Sequence, residues 1–161
     1  LDLLTDAFMI RQLQPYHANL KKRQVKSPKI YVRDSGLLHQ LLGIDSMKRL
    51  FNHPKVGASW EGFVIEQLLS LEPQEEVFFW ATHQGAEIDL ILRRGKALFG
   101  VECKRTDKPR LTRSIRIALE DLKLKYVFVI YPGTQRFPLA RRVEAVPLQA
   151  LSKGASLLDG F

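Results

Sequence analysis

The sequence predicts an α/β domain in which a mixed β-sheet is flanked by helices. Three observations point there. Residues 85–104, GAEIDLILRRGKALFGVECK, alternate apolar and polar side chains in two runs around Arg94, Gly95 and Lys96, the pattern of a β-hairpin. Ahead of it, Trp60, Val64, Leu68 and Leu71 recur at helical spacing. Beyond it, a second helical pattern leads into YVFVIY, Tyr126 to Tyr131, an unbroken apolar run typical of a strand buried on both faces. Helix, three strands, helix, strand is an αβββαβ order.

Composition sets the bounds. A chain of 161 residues, 45% apolar and 26% charged, is one ordinary domain with a small appendage. Its net charge of +8 favours a polyanionic partner, commonly nucleic acid. The single cysteine excludes an internal disulfide framework and suits the cytoplasm. No signal peptide or long apolar span is present, so no membrane role is expected. The chain opens at Leu1 in mid-pattern without an initiator methionine and is expected to be a piece of a longer protein.

In order, Leu1 to Leu13 is expected to be one helix, with Leu1, Leu4 and Phe8 as its apolar stripe and Pro15 as its stop. A basic hairpin follows, carrying Lys21, Lys22, Arg23, Lys26 and Lys29, and returns through the strand Ile30–Val32. Helix plus hairpin over residues 1–35 looks like the end of a winged helix. Its lysines and Arg23 suit phosphate contact, or docking on another module. Asp34 or Ser35 caps a leucine helix ending at Gly43, and Asp45 caps a short helix through Phe51. The helix from Gly57 to Leu71 places Glu61 roughly 60° from the centre of its apolar arc and Glu66 on the solvated side. An acid facing the core needs a partner or a metal. After a turn at residues 72–76, Val77–Trp80 reads as a buried strand. A helix over about 110–122 buries Leu111, Ile115, Ala118 and Leu122 and leaves Arg113 and Arg116 outward. With Arg105 they are candidate phosphate contacts, or plain solubilising charge. Val143–Val146 is expected as a short edge strand and residues 152–161 as a loose tail.

The hairpin carries the chemistry. A Gly95-Lys96 loop sets Asp89 opposite Glu102 and Glu87 opposite Lys104. An Arg94-Gly95 loop sets Glu87 opposite Glu102, with Asp89 diagonal. Either way, several carboxylates and one ammonium share a sheet face. Two carboxylates about 4 Å apart repel by roughly 4 kcal/mol at an effective dielectric near 20. A hard divalent cation would relieve this, since Mg²⁺ prefers carboxylate and water oxygens. The plain alternative is a solvated face with cross-strand ion pairs. Other site classes are absent: there is no GxxxxGK loop, no GxSxG elbow and no metal-ligand spacing among the histidines. Cys103 falls on the strand face opposite Glu102 and Lys104.

Asp89 followed by Glu102-Cys103-Lys104 resembles the D…(D/E)xK signature of the restriction-endonuclease-like (PD-(D/E)XK) nuclease superfamily. The helix opened by Gly57-Ala58-Ser59-Trp60-Glu61 is similar to the glutamate helix of its Holliday-junction-resolvase branch. Phrases such as DAFMIRQL, YHANLKKR, KSPKIYVRDSGLLHQLLGI and WEGFVIEQL resemble a domain C-terminal to the ATPase module of prokaryotic AAA+-type proteins. The resemblance implies a restriction-endonuclease-like domain over residues 36–151, behind an N-terminal ATPase module. It implies DNA as substrate, Mg²⁺ or Mn²⁺ held by Asp89, Glu102 and Glu61, and Lys104 positioning water. The alternative is a catalytically inactive nucleic-acid-binding or regulatory module.

Overall fold

Alternating apolar strands assemble one mixed sheet, and two helices cover its faces. The computed structural model describes residues 1–72, 76–151, 156–158 and 161. Chain order is α1 (Asp2–Asp6), β1 (Ile10–Leu13), β2 (Lys29–Val32), α2 (Ser35–Leu41), α3 (Met47–Asn52), α4 (Val56–Leu71) and β3 (Glu76–Ala81). Then come β4 (Glu87–Arg94), β5 (Ala97–Cys103), α5 (Arg113–Asp121), β6 (Tyr126–Tyr131), β7 (Phe137–Ala140), β8 (Val143–Pro147) and α6 (Leu148–Leu151). The six-stranded sheet runs β3-β4-β5-β6-β8-β7. β5-β6 and β6-β8 are parallel and the other pairs antiparallel. The expected α/β class, a mixed sheet flanked by helices, is what forms.

On one side α4 buries Val64, Ile65 and Leu68 against Leu90, Leu92, Phe99, Val101 and Phe128. On the other, α5 buries Ile115 and Ala118 against Ile88, Ile91, Val127 and Val129. Thr112 caps α5 by accepting from Ile115 N–H. Gly100 lies on the α5 side of β5, where an added Cβ would stand 2.9 Å from Leu124 Cδ1.

The first thirteen residues differ from the single helix expected. α1 ends at Asp6, Phe8 adopts φ 58°, and residues 10–13 form β1, antiparallel to β2. Ile10 and Leu13 are buried, whereas Leu1, Leu3, Leu4 and Phe8 are exposed. Strand pairing to Ile30–Val32 outweighs the helical pattern. The basic segment is no tight hairpin. It runs along the edge of β3: Tyr16 N–H donates to Phe79 C=O, and Val25 N–H to Ala81 C=O. Ser46, not Asp45, caps α3, while Asp45 pairs with Arg49 at 3.0 Å. Val143–Val146 lies inside the sheet. The edge belongs to β7, whose Pro138 lacks an N–H and suits that position. In the expected tail, Leu157 and Leu158 are buried in the α4-side core; 152–155 and 159–160 lie outside the described residues, as do 73–75 of the expected turn.

Glu66 is not solvated. Its carboxylate accepts from Arg11 Nη2 and Arg33 Nε, both at 3.0 Å, tying α4 to β1 and to the segment after β2. Burial pushes its pKa up, but the two guanidiniums outweigh burial and hold it below the usual carboxylate value. This stability is present above the unfolded carboxylate pKa and is lost as pH falls through the lowered folded one. Glu66→Gln is expected to cost about 2–3 kcal/mol at pH 7 and progressively less as pH falls through the lowered folded value, read as melting temperature against pH.

Candidate metal and nucleic-acid site

The loop of the β4–β5 hairpin is Gly95-Lys96, with Arg94 paired to Ala97 and Gly95 at φ 60°. Regular alternation would then carry Asp89 and Glu102 to one face, but a bulge intervenes. Between the pairs Phe78↔Ile91 and Trp80↔Ile88, one residue of β3 stands against two of β4, Asp89 and Leu90. Ile88 therefore packs on the α5 side while Leu90 packs on the α4 side. Asp89 turns to α4 and accepts from Cys103 N–H at 2.8 Å.

The result is a convergence from two elements. Oxygens of Glu61 on α4 and of Glu87 and Asp89 on β4 lie within 4.8 Å of one another. All three face one ammonium. Lys29 Nζ donates to Glu61 Oε1 at 2.8 Å, contacts Glu87 Oε1 and stands 3.5 Å from Asp89 Oδ1. Tyr31 O–H donates to the same Glu61 oxygen. Burial alone would lower the Lys29 pKa, but Glu61 and Asp89 outweigh it and the net shift is upward, so the ammonium stays charged. Burial, then the Glu61 charge, raises the Tyr31 hydroxyl, which remains a proton donor.

Glu102 stands beside this trio rather than in it. It alternates along β5 with Cys103, which packs in the α4-side core, and the charges of Glu87 and Glu61 act on it. Lys104 Nζ lies 2.6 Å from Glu102 Oε1, while Oε2 is buried with no hydrogen-bond partner. The two groups remain linked through charge. Burial, then the charges of Glu102 and Glu61, push Asp89 up to about 7, against Lys29 and the Cys103 N–H. Burial also raises Glu102, with Lys104 opposing it. Burial alone would lower Lys104, but the charge and hydrogen bond of Glu102, with the Asp89 charge, together outweigh it and the net shift is upward.

The folded state thus binds more protons at Asp89 than the unfolded state between pH about 4 and 7, and this group destabilises the fold as pH rises through that window. In chelator, Asp89→Asn is expected to melt at a higher temperature than the parent at pH 8. The gap should close near pH 4, where both side chains are neutral.

The candidate phosphate contacts divide. Lys21, Arg23, Lys26, Arg105, Arg113 and Arg116 are exposed. Lys22 pairs with Asp121 at 2.6 Å and lines, with Arg113, Gln84 and Gly85, a polar cavity of about 250 Å³. His83 is an exposed loop residue whose N–H donates to Arg23 C=O. His39 Nε2 meets Ser59 Oγ at 2.7 Å. Cys103 is buried, its thiol pushed up by burial, on the face opposite Glu102.

Sequence reasoning missed Lys29 and Tyr31 as site residues. A signal was there: in KIYV, two residues apart on a strand, they share a face. Lys29 belongs to the basic run expected to face phosphate, and Glu87 to the expected acidic patch but not to its expected metal ligands.

The chain's relatives give a family and no activity. Residues 1–48 match a family described as a domain of unknown function, DUF8612. Lys29 and Tyr31 fall in that stretch, so the site is assembled from two matched regions. Similar curated proteins include uncharacterized proteins of Mycobacterium tuberculosis and Mycobacterium bovis, each 52% identical over 156 residues. The alignment covers 96% of this chain, which spans about a third (35%) of the length of either relative. No solved structure matches it. No helix among the described residues is long and apolar enough to cross a membrane. Residues 56–151, which hold Glu61, Glu87, Asp89, Glu102 and Lys104, match the domain of unknown function DUF4143, and the chain belongs to that family.

Proposed function

We propose that the domain is a metal-dependent phosphodiesterase acting on DNA, a restriction-endonuclease-like unit of a larger protein with an ATPase module. One observation carries the reading: Glu61, Glu87 and Asp89 hold their oxygens within 4.8 Å, with Asp89 buried and pushed up to about 7. A donor set of hard oxygens suits Mg²⁺ or Mn²⁺. The unpartnered Glu102 Oε2 beside it supports the same fit. Asp89, Glu61 and Glu87 would hold the ion, with Glu102 adjacent. When bound, such an ion lowers the pKa of water and offsets phosphate charge. Lys104, half-buried and charged, is suited to orient the attacking water or neutralise the transition-state phosphate. The exposed Lys21, Arg23, Lys26, Arg105, Arg113 and Arg116 supply a sequence-independent hold on the backbone.

A second reading rests on Lys29. An internal ammonium already pairs with all three acids, as it would in a non-catalytic nucleic-acid-binding or regulatory module. Incubation with branched, single-stranded and duplex DNA in Mg²⁺ or Mn²⁺ separates the two. Cleavage that chelator abolishes supports the phosphodiesterase. Binding without cleavage supports the module and removes the enzymatic reading.

A further inference from the structure

Beside the acids lies an apolar pocket of about 350 Å³ lined by Trp60, Phe63, Phe51 and Met47, with Arg105 among its walls. The site described above does not use it. Chain connectivity places it next to that site: Trp60 precedes Glu61 on α4, and Arg105 follows Lys104. Its aromatic surface is open. Phe51 is 52% exposed and Phe63 39%. Trp60 and Phe63 stand 6.4 Å apart between ring centroids, inclined at 43°. The Arg105 guanidinium lies over Phe51 at 5.4 Å. Trp60 Nε1 and Glu102 Oε2 are the buried side-chain polar atoms without a partner among the described residues.

We infer that this pocket takes one unstacked nucleobase of a single-stranded DNA segment whose backbone passes the acids. The inference rests on the proposed nucleic-acid site and names its substrate class. A base matches the pocket in two ways. Its flat π-face stacks on Trp60, Phe51 or Phe63. Its phosphate complements Arg105, the cation at the wall, in a way that an uncharged apolar side chain would not. A paired base inside a duplex cannot enter, so the pocket selects single strands, frayed ends or extruded bases.

The test is equilibrium binding in chelator and low salt, read by Trp fluorescence. Of the two tryptophans, Trp80 is fully buried, so quenching reports Trp60. The probes are a short single-stranded oligonucleotide and the same strand made abasic throughout. The intact strand is expected to quench and to bind roughly tenfold tighter than the abasic one. Phe51→Ala, a change at an exposed side chain, should erase most of that difference and leave abasic binding unaltered. Equal binding of the two strands without quenching overturns the pocket while leaving the nucleic-acid site standing. Failure of both strands to bind overturns both. If Phe51→Ala leaves nucleic-acid binding unchanged but abolishes self-association, the surface is a protein interface and the inference is wrong.

Discussion

Lys29→Met is expected to lower the melting temperature in chelator by roughly 10 °C, and Mn²⁺ is expected to restore most of it. Lys29 is the cation that touches all three acids of the trio, and its side chain is only 24% exposed. Breaking a buried pair by removing one partner costs about 3–5 kcal/mol, because the remaining charge is left uncompensated. For a chain of this size each kcal/mol moves the midpoint by about 2–4 °C. Methionine keeps most of the stem volume, so the loss reports charge rather than packing. Calorimetry with and without Mn²⁺ measures it. An unchanged midpoint would mean that the trio does not depend on its ammonium.

Lys104→Ala is expected to reduce metal-dependent cleavage about a hundredfold or more while leaving DNA affinity nearly intact. Lys104 is half-buried against Glu102, and that charge keeps the ammonium protonated. Removing one group that stabilises developing charge has cost other sites a factor of about 100 to 1,000. DNA affinity is distributed over several exposed arginines and lysines, so losing one inner lysine changes it little. Single-turnover cleavage and filter binding on the same substrate separate the two. Unchanged cleavage would transfer the role away from Lys104, and Lys29 stands as the other ammonium at the acids.

The sheet was legible because its strands are either alternating or continuously apolar. A two-residue loop at Gly95, the helix bearing Glu61 and a cap at Asp34 or Ser35 follow from local chemistry; the structure selects Gly95-Lys96 and Asp34 and adds the Thr112 cap. The convergence of Glu61 and Asp89 was legible, the first from its place beside the apolar arc of α4 and the second from the hairpin alternation. What escaped is non-local. The bulge at Asp89–Leu90 depends on how Phe79 seats between neighbours, and with it Asp89 joins Glu61 and Glu87 while Glu102 stands beside them. Glu66 was misread as solvated because its arginines lie 55 and 33 residues away. The β1–β2 pairing turned an apparent helix into a strand, and in doing so delivered Lys29 and Tyr31 to Glu61.

A calorimetric titration of Mn²⁺ into the protein addresses the central proposal most directly. One site is expected in the parent protein, tighter in Lys29→Met and absent in the Glu61→Gln, Asp89→Asn double variant. Silence in the parent and in Lys29→Met alike, or a site indifferent to the loss of Glu61 and Asp89, would contradict it.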